Sequence, residues 1–126
     1  MRIFKTRGFS RFARKAGLGD PYLAEAVARA GRGLVDADLG GGVIKQRIAR
    51  PSEGRSGGFR TIILLELEVR AVFVYGFAKN ERQNIGDDEL RAFRDLAVVM
   101  LAYDEGEIAT ALENGALIEV RDEQRI

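Results

Sequence analysis

Lys45, Arg47 and Arg60 are the residues of this chain whose type and spacing suit chemistry on a phosphate. Residues 43–50 alternate in polarity, so Lys45 and Arg47 share one strand face, about 7 Å apart, close to the phosphate spacing of an RNA strand. Two cations so close lower each other's affinity for protons, which would let Lys45 act as a general base. Arg60 opens the next apolar strand, where a fixed guanidinium suits a pentacoordinate phosphate. The alternative is a strand face that uses long charged side chains to avoid aggregation.

The chain of 126 residues contains no histidine and no cysteine. Without histidine, an RNase built on two imidazoles and the usual Ser-His-Asp triad are both excluded. Without cysteine there is no disulfide and no thiolate metal site, which fits a reducing cytoplasm. Acid–base chemistry therefore falls to Lys, Arg, Asp, Glu, Tyr or a partner.

Charge is distributed unevenly along the chain, although the net charge is only +1. Residues 1–86 contain 16 Lys and Arg against 8 Asp and Glu, whereas residues 87–126 contain 4 against 11. A basic body with an acidic C-terminal third indicates a polyanion site on the first part, with nucleic acid as the candidate. The alternative is a charged surface whose two ends attract each other.

Length and composition predict a single domain over residues 1–126, because the hydrophobic fraction of 46% is ordinary for a globular protein. No apolar run approaches the ~20 residues that span a bilayer. The N-terminus lacks the apolar core of a signal peptide. We therefore expect a cytoplasmic protein without a membrane partner.

The coarse pattern predicts an α+β fold, an antiparallel β-sheet with an N-terminal helical hairpin and C-terminal helices packed on it. The predicted strands are 2–5 (a short edge strand), 43–50, 59–67, 70–77 and 116–120. The predicted helices begin at Ser10, Asp20, Asp87 and Asp104. The buried stripe of the third helix is predicted to comprise Leu90, Phe93, Ala97, Met100 and Leu101.

Two segments are predicted to be loops. Residues 34–42 hold turn-forming Asp and Gly, and this interpretation is favoured over a metal site at Asp36 and Asp38, because no further ligand is evident near them. Residues 51–58 form a loop by composition and would bring Arg55 to the basic face.

Local sequence in these elements resembles the RelE superfamily of toxins from type II toxin–antitoxin pairs. Residues 56–60 (Ser-Gly-Gly-Phe-Arg) are similar to the Ser-x-Gly-Tyr-Arg entry to a central strand in that family. Residues 72–74 (Val-Phe-Val) and 79–82 (Lys-Asn-Glu-Arg) are similar to its Val-Phe-Val and Gly-Lys-Arg-Glu-Arg segment. Residues 33–41 and 76–82 resemble a HigB/RelE-like subgroup.

The resemblance implies a reaction and a set of roles. RelE-type toxins are metal-independent endoribonucleases that cut mRNA in the ribosomal A site, where the substrate's 2′-hydroxyl attacks the adjacent phosphate. Neither a metal nor another cofactor is implied. By position, Lys45 and Arg47 match the two strand lysines of the family, one of which acts as the base. Arg60 matches the arginine that stabilises the transition state.

The chain departs from the family pattern at two positions. Asn80 stands where RelE has the arginine proposed to protonate the leaving group, so Lys79 or Arg82 would replace that acid. Gly86 stands about where RelE has a stacking tyrosine, so Tyr75 or Phe77 would replace the stack. The residues predicted to contact RNA outside the catalytic set are Arg50, Arg55 and Asn80.

The resemblance also implies a partner, a small antitoxin that in this subgroup commonly carries a helix-turn-helix domain. Two other functions stay open from the sequence. ParE-type toxins of the same superfamily poison DNA gyrase without cutting RNA, and the fold would also suit a non-catalytic RNA-binding module. The concentration of cations at Lys45, Arg47, Arg60 and Arg82 favours the nuclease.

Overall fold

A computed structural model of the chain describes the backbone of residues 1–50 and 54–121, and the side chains of residues 1–49 and 58–121. The elements in chain order are β1 (Arg2–Thr6), α1 (Arg7–Ala16), α2 (Asp20–Gly31), β2 (Ala37–Gly40), β3 (Val43–Arg50), β4 (Gly54–Glu66), β5 (Arg70–Ala78), α3 (Asp87–Met100), α4 (Glu105–Glu113) and β6 (Leu117–Glu119). The predicted α+β class is confirmed. No helix within the described ranges is long and apolar enough to cross a membrane.

The described strands form one sheet in the order β2-β3-β4-β5-β1-β6. Neighbouring strands pair antiparallel, except that β1 pairs parallel with β5 through partners such as Ile3 and Ala71. The sheet is therefore mostly antiparallel. The prediction that the first strand lies at an edge is wrong, because β1 is enclosed between β5 and β6.

The N-terminal caps of the first two helices differ from those predicted, although α2 begins at Asp20 as expected. The cap of α1 is Thr6 rather than Ser10, and the Thr6 hydroxyl accepts a hydrogen bond from the Phe9 N–H at 3.2 Å. The cap of α2 is Gly19 rather than Asp20. Asp20 instead connects segments that are distant in sequence, since its carboxylate accepts hydrogen bonds from Lys5 Nζ at 3.0 Å and from the Arg121 N–H at 2.9 Å.

The two sheet faces carry two separate apolar layers. On one face, α1 and α2 bury side chains such as Phe9 and Leu23 against strand residues such as Ile48 and Phe73. On the other face, α3 and α4 pack onto strand residues such as Val43 and Leu64, and α3 does so with the buried stripe predicted for it. The N-terminal helices and the C-terminal helices are thus found on opposite faces.

Both predicted loops are partly strand. Residues 37–40, expected as a loop, form β2 against β3, with Ala37 opposite Lys45. β4 begins at Gly54, inside the segment 51–58 expected as a loop, whereas residues 51–53 lie outside the described residues. Consequently Arg60 lies within β4 and not at its start.

A bulge in β5 changes the side-chain alternation next to the cationic strands. Ile62 is paired with Tyr75 and Ile63 with Phe73, so Val74 is the extra residue. Val74 and Tyr75 both pack against the apolar layer under α3 and α4. Bulges of this kind re-aim side chains, and this one brings Tyr75 to the face that carries Lys45 and Arg60.

Gly76 lies on the opposite face of β5, directly under α1, and its replacement by alanine is expected to lower the free energy of unfolding by about 1–3 kcal/mol. An added Cβ would lie 2.3 Å from the ring of Phe12. That ring is enclosed by Phe9 and Phe59, with centroids 5.6 and 5.7 Å away. Urea unfolding measures the loss. Gly31→Ala, where a Cβ meets open space, is the control, and equal stability of the two variants would contradict this packing.

Candidate functional site

Lys45, Arg47 and Arg60 lie on the same face of adjacent strands. Arg47 of β3 is directly opposite Arg60 of β4, and Lys45 is opposite Ile62. The intervening Gln46 points to the other face, where it is fully buried beneath α2 and donates to the Ala26 carbonyl at 3.0 Å. The alternation predicted for residues 43–50 is therefore confirmed over residues 43–48.

Helices α3 and α4 do not cover the part of the sheet face that carries Lys45, Arg47 and Arg60. A Cβ at Gly42 would touch the side chains of Leu101 and Ala97, which places α3 at the start of β3. Further along β3, Arg47 is exposed, and Lys45 and Arg60 are half-buried. An extended polyanion can therefore approach the three cations from solvent.

The arginine pair carries positive charge that nearby groups do not neutralise. Burial, followed by the adjacent Arg47, lowers the pKa of Arg60 from its ordinary value, and Asp36 opposes that shift. Within the described part of the chain, neither Arg47 nor Arg60 makes a side-chain hydrogen bond or ion pair. Like charges placed directly across a strand pair destabilise a sheet. This arrangement is one that a bound phosphate would relieve.

Lys45 is held by the loop that precedes α3. Its Nζ donates to Asn84 Oδ1 at 3.3 Å, and the same oxygen accepts from the Ile85 N–H at 2.9 Å. The loop therefore lies beside the cationic face, and Asn84 fixes where the Lys45 amine sits. An amide oxygen holds a lysine without supplying a counter-charge.

Arg82 is anchored in the same loop by several partners. Its guanidinium donates to the Tyr75 hydroxyl at 2.9 Å and to both carboxylate oxygens of Glu89, and its Nε donates to the Asn84 carbonyl at 2.7 Å. It also lies over the rings of Tyr75 and Phe77, 5.7 and 5.9 Å from their centroids. The hydrogen bond to Glu89 raises the pKa of Arg82. Phe77 is buried and Arg82 lies over both rings, which limits the use of either ring for stacking a base.

Glu89 makes the stability of this anchor depend on pH. The hydrogen bonds from Arg82 and from the Gly86 N–H lower the pKa of Glu89 below its ordinary value of 4.5. A lowered carboxylate pKa adds stability above the unfolded-state pKa, and that stability is lost as the pH falls through the folded-state value. Glu89→Gln is expected to be less stable than the wild type near neutral pH. The difference is expected to shrink once the pH falls below about 4.5 and to vanish below the lower folded-state pKa.

Urea midpoints measured between pH 3 and 7 test this expectation. Glu113→Gln, which removes the same charge from the exposed last residue of α4, is the control. A difference between wild type and Glu89→Gln that persists unchanged at acidic pH would contradict the ion pair.

The remaining predicted site residues are less closely grouped. Lys79 and Asn80 are exposed in the turn after β5, and the Lys79 N–H donates to the Gly58 carbonyl at 3.2 Å. Lys79 thus lies next to Gly58 within β4, and it follows by two residues Phe77, the partner of Arg60. The side chains of Arg50 and Arg55 lie outside the described residues.

The two aspartates before β3 act on the backbone. Asp38 Oδ1 accepts from the Gly40 N–H at 2.9 Å, which is the turn role expected of it. Asp36 Oδ2 accepts from the Arg47 N–H at 2.6 Å. In the described ranges, no three His, Cys, Asp or Glu side chains are grouped to hold a metal ion.

Sequence reasoning missed four residues around the cations: Arg29, Asp36 as a partner of β3, Asn84 and Glu89. Glu89 is the third residue of α3, where an acidic residue is interpreted as a signal for the start of a helix. That interpretation gave no indication that Glu89 also binds Arg82. Asn84 follows no recognisable spacing. Each of the four acts through a contact between segments distant in sequence or across a loop, which a local pattern does not display.

Comparison with known families agrees with this arrangement. The model for the RelE toxin of the RelE/RelB toxin–antitoxin system matches residues 1–120, which include every described helix and strand. A search of curated proteins gives no significant match. Because the family match extends over nearly the whole chain, this protein belongs to the RelE toxin family.

Proposed function

We propose that this toxin is an endoribonuclease that cuts mRNA in the ribosomal A site and acts in the cytoplasm. The observation that supports the proposal best is the pairing of Arg47 with Arg60 on an open sheet face, with no described counter-charge bound to either guanidinium. Two forked cations at adjacent positions match the negative oxygens of one phosphodiester. Lys45 lies on the same face, two residues along β3 from Arg47.

The proposed reaction needs neither a metal nor a histidine. The 2′-oxygen bonds to phosphorus while the bond from phosphorus to the 5′-oxygen breaks, which leaves a cyclic phosphate and a 5′-hydroxyl. Lys45, in its uncharged form, takes the proton of the 2′-hydroxyl, and Asn84 holds the amine in place. Arg60 stabilises the charge of the pentacoordinate phosphate, and Arg47 holds the phosphate beside it.

The proton for the leaving 5′-oxygen comes from Lys79 in this proposal. Arg82 suits the role poorly, because its pKa is raised by Glu89 and an arginine does not give up its proton in proteins. A lysine ammonium transfers a proton far more readily. In this proposal Lys79, which is exposed beside Gly58 of β4, reaches the leaving group, whereas Arg82 contributes fixed positive charge.

The RNA beyond the scissile phosphate is proposed to contact Arg50, Arg55 and Asn80. Arg50 is the last residue of β3, and Arg55 is the second residue of β4. Asn80 lies in the turn after β5. These positions are close along the chain to Arg47, Arg60 and Lys79. One strand of RNA could therefore contact the catalytic residues and these three residues together.

The partner of a RelE toxin is its cognate antitoxin. We propose that the antitoxin carries a helix-turn-helix domain and either covers the cationic face or holds the terminal helices away from it. The positive charge around Arg47 and Arg60 would attract an acidic segment of that partner.

Mapping of mRNA 5′ ends after induced expression tests the proposed function. We expect new ends within translated regions, bearing 5′-hydroxyls, and their disappearance when initiation of translation is blocked. Arg60→Ala serves as the inactive control. Intact mRNA together with loss of DNA supercoiling would indicate gyrase as the target instead. Intact mRNA on ribosomes that still bind the chain would leave only an RNA-binding module.

A further inference from the structure

The main chain of Arg47 is held by two side chains in place of a neighbouring strand. β2 pairs with β3 only as far as Ala37 and Lys45. Past that point, Asp36 Oδ2 accepts from the Arg47 N–H at 2.6 Å, and Arg29 donates to the Arg47 carbonyl at 2.5 Å. Both outward backbone groups of Arg47 are thereby satisfied, and we call Asp36 and Arg29 the clamp.

The clamp is itself fixed on several sides. Arg29 lies 3.8 Å from the Asp36 carboxylate, and its Nε donates to Glu25 at 2.9 and 3.1 Å. The Asp36 N–H donates at 2.7 Å to the side chain of Gln46, which is fully buried. The clamp therefore connects α2, the segment before β2 and the cationic strand in one polar network.

This geometry also determines how close the two arginines come. The N–H and carbonyl of Arg47 point away from β4, since both bind the clamp. Arg47 and Arg60 therefore form a non-hydrogen-bonded pair, the type in which opposed Cα atoms are only about 4.5 Å apart and side chains are closest. Such closeness of like charges is unfavourable, so other interactions must keep Arg47 and Arg60 in this arrangement.

Asp36 supplies a counter-charge without occupying the guanidiniums. Its negative charge opposes the lowering of the Arg60 pKa, yet its described bonds go to the Arg47 backbone and to Arg29. A carboxylate paired directly with either site arginine would compete with phosphate. Asp36 instead offsets part of the repulsion between Arg47 and Arg60 without binding either guanidinium. Both guanidiniums therefore stay available to bind a phosphate.

We propose that Asp36, aided by Arg29, is a positioning residue for RNA cleavage: it holds the Arg47 backbone so that Arg47 and Arg60 face the same phosphate. This inference rests on the proposed endoribonuclease function. A simpler role would be protection of an exposed strand edge, which would affect folding but not turnover. The two roles differ in what a variant does to the rate constants.

The test compares Asp36→Ala, Asp36→Asn and Asp38→Ala in steady-state cleavage of ribosome-bound mRNA. Asp36→Ala is expected to lower kcat about 10- to 100-fold, as misplacement of a site group does, with KM changed less than about threefold. Asp36→Asn retains an acceptor oxygen and is expected to restore most of the rate. Asp38→Ala, an equal loss of charge one residue into β2, is expected to match the wild type.

Amide hydrogen exchange at Arg47 provides the readout that is independent of RNA. Faster exchange in Asp36→Ala than in Asp36→Asn, parallel to the loss of kcat, supports the inference. Faster exchange with an unchanged kcat overturns it, as does an Asp36→Asn variant as slow as Asp36→Ala. A wild-type chain that does not cleave overturns the proposed function, and the inference with it, whereas a cleaving wild type with an unimpaired Asp36→Ala overturns the inference alone.

Discussion

Replacement of Arg60 by alanine is expected to slow RNA cleavage about 10²–10³-fold, the usual effect of removing one preorganised donor from a transition state. Arg60 is half-buried within β4, so its backbone is fixed by the sheet before the substrate arrives. No described residue forms an ion pair with it, so its charge is free for the phosphate. Single-turnover cleavage on ribosomes measures the chemical step.

Two variants serve as controls for Arg60→Ala. Arg11→Ala removes an exposed arginine from α1, on the far side of the sheet, and is expected to cleave at the wild-type rate. Arg60→Lys keeps the charge but loses the planar fork and is expected to fall between the two. If Arg60→Ala slowed cleavage only because it no longer sedimented with ribosomes, the assignment of Arg60 to the transition state would be wrong.

Replacement of Lys45 separates the role of a base from that of a charge. Lys45→Ala is expected to slow cleavage about 10²–10⁴-fold, the range for loss of a positioned general base. Lys45→Arg is expected to be about as slow, because a guanidinium keeps its charge but accepts no proton at working pH. The same single-turnover assay measures both variants.

The comparison of the two Lys45 variants is decisive for the proposed mechanism. A Lys45→Arg variant that retained most of the wild-type rate would show that Lys45 contributes charge alone, and the base would have to be another group. Asn84→Ala is a further control, since it removes the contact to Nζ while leaving the amine in place. We expect it to retain more activity than Lys45→Ala.

The parts of the site that sequence predicted are those governed by local geometry. A strand places residues two apart on one face, so Lys45 and Arg47 had to lie together once β3 was recognised. The start of α4 predicted at Asp104 was equally local, and the structure has Asp104 as its cap, with the Asp104 carboxylate accepting from the Glu107 N–H at 2.8 Å. Periodicity and capping need no knowledge of the partner elements.

Tertiary contacts determined what sequence could not supply. Thr6 caps α1 because β1 runs directly into that helix, a junction that residues 2–10 do not reveal by composition. The residues before β3 became a strand because β3 offered a pairing edge, although Asp36 and Gly40 read as turn formers. Arg82 appeared to be a free catalytic cation, and its bond to Glu89 depends on where α3 begins relative to the sheet.

The position of β1 has a consequence for the order in which the newborn polypeptide can fold. β1 is synthesised before the other strands, yet its neighbours in the sheet are β5 and β6. Ile3 pairs with Ala71 of β5, and Phe4 pairs with Glu119 of β6. The β3–β4 hairpin with its cations is local and can close early, whereas pairing across such sequence distances is slow. The arginine pair can therefore form on an unfinished sheet, and the sheet becomes complete only after β5 and β6 have been synthesised.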